Sequence, residues 1–220
     1  MLGRMSPEDL PEQIDALLAA PLPLPIVAAG DPVLRRPAEP YQGQLGPRRL
    51  EALVEAMRVT MRAAPGVGLA APQIGVPLQI AVVEDEADVP KEVREVRGRY
   101  PLPFRVLINP AYAAAGPRRV AFFEGCLSVP GWQAVVARPE RVRLRATDLA
   151  GRPVDEVFSG WAARIVQHET DHLAGTLYLD LAELRSLSGA RAMAERWNRP
   201  TPRHAARELG FPLPAGQEDA

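Results

Sequence analysis

Gln167-His168-Glu169-Thr170-Asp171-His172 is the stretch on which the fold turns. The segment from Trp161 to Ala174 reads as helix, with Ser159 placed to cap it and Gly175 placed to stop it. On a helix His168 and His172 are four residues apart, so both imidazoles leave one face, a turn from each other. Two imidazoles at that spacing can hold one divalent metal. Glu169 follows the first of them and can serve as a base without being a ligand. The same face runs back through Ile165 and Trp161, so a metal site and an apolar wall share one surface. The plain alternative, a solvated helix with scattered His and acid, fits two His and an intervening Glu in a good helical frame poorly.

Outward from this helix, the chain of 220 residues and 23.9 kDa is long enough to bury a full core. A net charge of -1 points neither to wholesale nucleic-acid binding nor to a polyacidic partner. Cys126 is the only cysteine, which suits a reducing compartment and excludes an internal disulfide. No apolar run approaches the roughly 18 residues that span a bilayer. Glu8, Asp9, Glu12 and Asp15 argue against a secretory or mitochondrial leader. The expected location is therefore the cytoplasm.

Ahead of the metal helix, residues 6–20 read as an acidic helix capped by Ser6, with Leu10, Ile14, Leu17 and Leu18 as its stripe. It ends at the prolines 21–25 and is expected to be an extension packed outside a domain that begins at Ile26. Residues 47–63 read as an amphipathic helix with Leu50, Leu53, Val54, Met57 and Met61 on one side. Next comes Gly66-Val67-Gly68-Leu69-Ala70-Ala71-Pro72-Gln73-Ile74-Gly75, whose bare backbone allows close approach; a simple helix-to-strand loop is the alternative. Residues 78–83 and 104–109 read as strands, the second closed by Pro110, with 84–103 a long surface loop between them. Strands are expected over 118–123, 134–137 and 141–146. The last alternates Val142 and Leu144 with Arg141, Arg143 and Arg145, as an antiparallel strand with one wet face should. Residues 153–158 lead into the metal helix. Residues 182–198 read as a last helix and 199–220 as a tail. Short strands around one central helix give an α+β fold with antiparallel sheets.

A catalytic metal commonly takes three protein ligands. Cys126 stands between two expected strands, after a glycine, and a thiolate binds a dipositive ion well; as a lone cysteine it could equally be a small buried apolar residue. The residues alone leave this open.

Gly66–Gln73, Glu124-Gly125-Cys126-Leu127-Ser128 and Gln167–Gly175 resemble, in order, the three motifs of the peptide deformylases. The resemblance runs from about Ile26 to Leu181, so the expected division is an N-terminal extension (1–25), a catalytic domain (26–181) and a C-terminal helix and tail (182–220). It implies antiparallel sheets surrounding a central metal-binding helix. It also implies hydrolysis of the formyl group from N-terminal formyl-methionine of new polypeptides, releasing formate. By the same resemblance Cys126, His168 and His172 hold the metal, Fe(II) in the cell with Zn(II), Ni(II) or Co(II) as substitutes. Glu169 moves the proton, and the Gln73 side-chain amide and the Leu127 backbone N–H stabilise the oxyanion. The bare backbone at Val67 and Gly68 can then pair with the extended substrate, with Gly125 a further substrate-binding residue and Val67, Phe122, Trp161 and Ile165 as walls of the methionine slot. Glu124 and Arg138 are implied to form an ion pair that braces the Cys126 strand. Arg164 departs from the apolar residue that some members carry there, which leaves the shape of the slot open.

The competing reading is a zinc endopeptidase of the His-Glu-x-x-His type, which would take a downstream ligand such as Glu183 or Glu195 and leave Cys126 idle. A metal store would leave Gln73 and Glu169 without work. The partners expected are formylated nascent peptides, with the protein itself a monomer. The ribosome is a further candidate through Arg185, Arg191, Arg196, Arg199, Arg203 and Arg207, set against Glu183, Glu195 and Glu208. With the site complete by His172, the chain beyond Asn198 is expected to be dispensable for turnover.

Overall fold

The computed structural model describes residues 10–217. Helix α2 (Gly46–Ala63) presents Leu50, Leu53, Val54, Met57 and Met61 inward, as its sequence pattern requires. Helix α1 (Leu10–Leu18) packs against it, with Leu10 and Ile14 buried in the same core cluster and Leu17 and Leu18 against it. The expected start of this helix and its Ser6 cap lie outside the described residues. Leu24 N–H donates to Thr60 Oγ1 at 2.9 Å, tying the proline stretch to α2.

Two antiparallel sheets follow. The larger has the order β1 (Gly68–Ala70), β2 (Ile80–Asp85), β3 (Leu102–Ala114), β6 (Arg141–Thr147), β7 (Pro153–Ser159). The smaller has the order β4 (Arg119–Cys126), β5 (Val129–Pro139), β8 (Ala182–Gly189). Helix α4 (Gly160–Leu173) touches every strand of the larger sheet and β5 of the smaller. It is buried from Ala163 through Gln167 and again at Glu169, Asp171, His172 and Leu173. A helix covered on most of its circumference is a central helix, so the α+β architecture is the expected one. No helix of the described residues is long and apolar enough to cross a membrane.

Several local expectations are corrected. Ser159 sits at the N-cap of α4 with extended backbone, but its side chain makes no capping hydrogen bond. Gly175 does end the helix: its φ is +76°, and a Cβ there would lie 2.9 Å from the Arg35 carbonyl carbon. The segment 84–103 contains a short helix, α3 (Lys91–Arg97), closed by Gly98 in the left-handed region. None of its residues is buried, so no apolar stripe betrays it. Strand β3 runs through Pro110 to Ala114, because a register shift between Ile108 and Ala111, with Asn109 at φ +49°, accommodates a residue that has no N–H to give.

The largest correction concerns 182–198. Residues 182–189 are strand β8, paired antiparallel with β5, with Ser186 and Ser188 buried and Leu184 and Leu187 outward. Helix-compatible composition yields to the open edge of β5, where Ser186 Oγ accepts the Val135 N–H at 2.6 Å. After the one-turn helix α5 (Tyr178–Leu181) and β8, a short helix, α6 (Ala190–Ala192), runs into one π-turn over Met193–Trp197. The expected tail holds another helix, α7 (Arg203–Leu209). Trp197, Ala205, Ala206 and Phe211 form a buried cluster with Ala121, Phe123 and Val135 of β4 and β5. Gln217 accepts the Ala121 N–H at 2.6 Å and donates to its carbonyl at 2.7 Å, as a neighbouring strand residue would. This segment therefore completes the core under the two strands that flank Cys126.

Candidate metal centre

Strand β4 delivers Cys126 at its last residue, and α4 delivers His168 and His172 from one face. The Cys126 Sγ and one ring nitrogen from each histidine all lie within 4.8 Å of one another. Cys126 Sγ is 3.2 Å from His172 Nε2, and the two imidazoles have ring centroids 5.0 Å apart at 72°. His168 Nδ1 lies 3.1 Å from Glu124 Oε2. An ionised carboxylate only accepts, so Nδ1 is the donor and the Nε2 lone pair is left for a ligand role. Tyr178 stacks on this ring at 6.2 Å and 24°, anchored by its hydroxyl on the Trp132 carbonyl at 3.0 Å. Burial disfavours a charged His168, yet the Cys126 sulfur and Glu124 more than offset it and hold that ring well above its usual range. Burial and the neighbouring His168 charge push His172 the other way. One thiol and two imidazoles whose donor atoms converge in this way fit a divalent metal.

Glu124 is the hub of the surroundings. Arg138 donates Nε to its Oε1 at 2.6 Å and Nη2 to its Oε2 at 3.1 Å, the ion pair expected on the sequence. Arg164 contacts the same Oε1. Burial raises the Glu124 carboxyl, but the two guanidiniums outweigh it and hold it well below the ordinary range. Arg138 Nη1 also reaches Asp171 Oδ2 at 2.7 Å, and Tyr112 donates its hydroxyl to Asp171 Oδ1 at 2.9 Å. Two buried acids thus balance two buried arginines behind the histidines. Sequence reasoning missed Asp171, Tyr112 and Tyr178; the position of Asp171 three residues after His168 was the only local signal.

Glu169 is 4% exposed, and its Oε2 has no hydrogen-bond partner among the described residues. Burial pushes its carboxyl up to about 7, which suits a group that must take and return a proton. Gln73 is also buried. Its Oε1 accepts the Ala70 N–H at 2.8 Å, which turns its amide nitrogen toward Cys126 Sγ at 3.6 Å and Ser128 Oγ at 3.3 Å. Leu127 forms the tip between β4 and β5 and packs on the main core.

Neither Gly66 nor Gly68 has positive φ, so neither is needed to turn the chain. A Cβ on Gly66 would lie 2.8 Å from Leu127 Cδ1, and one on Gly68 would lie 2.2 Å from Glu169 Oε1. These glycines admit the Leu127 and Glu169 side chains against β1. Strand β1 is the edge of its sheet. The Val67 carbonyl accepts the Glu84 N–H at 3.0 Å, so by ladder alternation the Gly68 N–H and carbonyl face the open edge. Gly125 pairs with Gln133 on β5. Phe122 and Trp161 meet edge to face at 6.1 Å, and Arg164 lies 5.3 Å and 5.7 Å from their ring centroids. Ile165 is buried beside Ala70 and Val83, with Val67 and Trp161 partly buried against the same cluster.

Similarity to known proteins agrees with this arrangement. A family model described as polypeptide deformylase matches residues 23–187. Peptide deformylase 3 of Streptomyces avermitilis is 69% identical over 211 residues, 96% of this chain and 94% of that protein. Peptide deformylase 1 of Streptomyces coelicolor is 70% identical over 205 residues, 93% and 94% of the two. Among solved structures, the Met-Ala-Ser-bound class I type b peptide deformylase of Acinetobacter baumannii matches with a TM-score of 0.65 at 34% identity, over 72% of this chain and 97% of that one. With two histidines on a buried helix, Cys126 beside them at the end of β4, and relatives of this closeness, the chain belongs to the polypeptide deformylase family and removes the N-formyl group from nascent peptides.

Proposed function

We propose that deformylation here uses Cys126, His168 and His172 as metal ligands and Glu169 as the proton carrier. The observation that carries this is the convergence of three donor atoms within 4.8 Å, alongside a buried Glu169 carboxylate oxygen with no partner among the described residues. A divalent ion bound there supplies a Lewis acid and a nucleophile at neutral pH. The water oxygen bonds to the formyl carbon, the carbon–nitrogen bond breaks, and formate leaves. Glu169 takes the proton from the water and returns it to the departing amine. Negative charge built on the formyl oxygen is met by the Gln73 amide and the Leu127 N–H, each typically worth roughly 3 kcal/mol of barrier. Gly68 offers its outward backbone to an extended substrate, with Val67 and Gly125 beside it. Val67, Phe122, Trp161 and Ile165 are the proposed walls of the methionine slot. The Met-Ala-Ser held by the Acinetobacter relative is consistent with such a ligand.

Glu169→Gln tests the assignment. It should retain metal and lose about 10²–10⁴-fold in turnover of formyl-Met-Ala. Loss of metal with normal turnover per bound ion would refute the role.

Fe(II) is the proposed ion in the cell, with Zn(II), Ni(II) or Co(II) as substitutes; metal analysis of protein purified without oxygen decides it. The proposed setting is the cytoplasm and the proposed state a monomer. The proposed catalytic unit, 26–181, works with both flanking segments attached, since Leu10, Ile14, Trp197 and Phe211 all enter buried clusters. Ribosome docking is favoured by a cavity of about 400 Å³ lined by Arg199, Arg203, His204 and Arg207, with Glu92 as the one acid among the described residues. Arg203→Glu with Arg207→Glu should then weaken co-sedimentation with ribosomes, most at low salt; salt-insensitive, unchanged co-sedimentation excludes docking there.

A further inference from the structure

Arg164 is 4% exposed and has no part in the chemistry above. It stands one turn before His168 on α4. Its Nη1 donates to Glu124 Oε1 and to the Val136 carbonyl at 2.9 Å, and its Nη2 to the Val120 carbonyl at 2.7 Å. The Glu124 carboxylate is already gripped at both oxygens by the Arg138 fork, 2.6 and 3.1 Å. A bidentate guanidinium fixes a carboxylate plane by itself. The second guanidinium therefore adds charge more than orientation.

That charge has one outlet toward the metal donors. Glu124 Oε2 faces His168 Nδ1 at 3.1 Å. A carboxylate that pulls on an imidazole N–H makes the opposite nitrogen a stronger donor, and outer partners of this kind tune a bound ion. A carboxylate shared between two guanidiniums pulls less. We propose that Arg164 is a positioning residue that acts on the metal centre at one remove: through Glu124 its charge sets the donor strength of the His168 ring. This rests on His168 being a ligand. The bland role for Arg164 is a tie between α4 and strands β4 and β5 through the Val120 and Val136 carbonyls.

Cobalt separates the two roles. Arg164→Gln keeps hydrogen-bond donors for those carbonyls and removes the charge; Arg164→Lys keeps the charge. In Co(II)-loaded protein, Arg164→Gln should shift the visible d–d bands and change cobalt affinity by roughly 10–100-fold, while Arg164→Lys stays near wild type in both. Wild-type bands and affinity in Arg164→Gln overturn the proposal, as does an Arg164→Lys protein as perturbed as Arg164→Gln. Should Arg164→Gln not fold, Arg164→Lys decides alone: wild-type bands support the proposal and shifted bands overturn it. His168→Ala keeps the two readings apart. If it binds cobalt as tightly as wild type, the ligand assignment itself has failed; if it does not, only the role of Arg164 is at stake.

Discussion

Gly68→Ala should inactivate the enzyme without emptying its metal site. The added Cβ would sit 2.2 Å from Glu169 Oε1, 2.5 Å from its Cδ and 2.6 Å from its Cγ. Carbon contacts are comfortable at roughly 3.5–4.0 Å, so the carboxylate must retreat by about 1 Å or more. Rotating only the tip does not suffice, because Cγ is also too close. A misplacement of about 1 Å at a reacting group can cost about 10²-fold, and full withdrawal approaches the 10²–10⁴-fold of lost proton transfer. The fold tolerates the change better. Gly68 lies in a strand without positive φ, so alanine suits the backbone and restricts the unfolded chain by about 0.4–1 kcal/mol, against roughly 1–3 kcal/mol of overpacking. The assay is kcat/KM on formyl-Met-Ala, read beside metal content and Tm. In a Glu169→Gln background the same substitution should cost little further activity, because groups acting as one unit are lost once. A folded, metal-replete Gly68→Ala enzyme with undiminished kcat/KM would refute the close approach of β1 to Glu169 as the reason for a glycine there.

Other outcomes follow from the same geometry. Cys126→Ala should bind metal poorly, and full occupancy of the site would remove Cys126 from the ligand set. The iron form should decay in air through oxidation of the same sulfur while a nickel form persists; equal lifetimes would remove that link. Phe211→Ala should cost roughly 3–5 kcal/mol as a buried aromatic truncation, a fall in Tm on the order of 10 °C, and cutting after Asn198 should cost more and lower turnover as well. Unchanged melting of either protein would show that the segment does not support β4 and β5. Glu84 should contribute acid sensitivity. The Arg62 hydrogen bond, with help from Arg58, outweighs burial and holds its carboxyl below the usual 4.5. Its stabilisation is therefore full above that value and is lost as pH falls through the lowered one. Glu84→Gln should flatten the decline of Tm between about pH 5 and pH 3, and an unaltered decline would dismiss the Arg62 pair as its source.

The sequence by itself determined the metal helix, because its message is local. Two histidines four apart share a face whatever surrounds them, and Gly175 stops the helix by its own backbone freedom at φ +76°. The alternation of β6 and the stripe of α2 are local in the same sense, and the residues the pattern names are all buried, joined on α2 by Ala56 and Thr60. The Cys126 motif was legible only beside the other two, since a lone cysteine has no periodicity to read. What the tertiary structure decided are relations between distant segments. Residues 182–189 became a strand because β5 offered unpaired edge groups, and backbone hydrogen bonds left unmade inside a protein are costly. Gly66, just ahead of β1, and Gly68, its first residue, are required by side chains about 60 and 100 residues away, Leu127 and Glu169. Arg164, which in sequence interrupts an apolar wall, is buried because Glu124, 40 residues earlier, awaits it with two strand carbonyls. A charge is kept out of water only where partners are already fixed to receive it, and those partners come together only when the chain has folded.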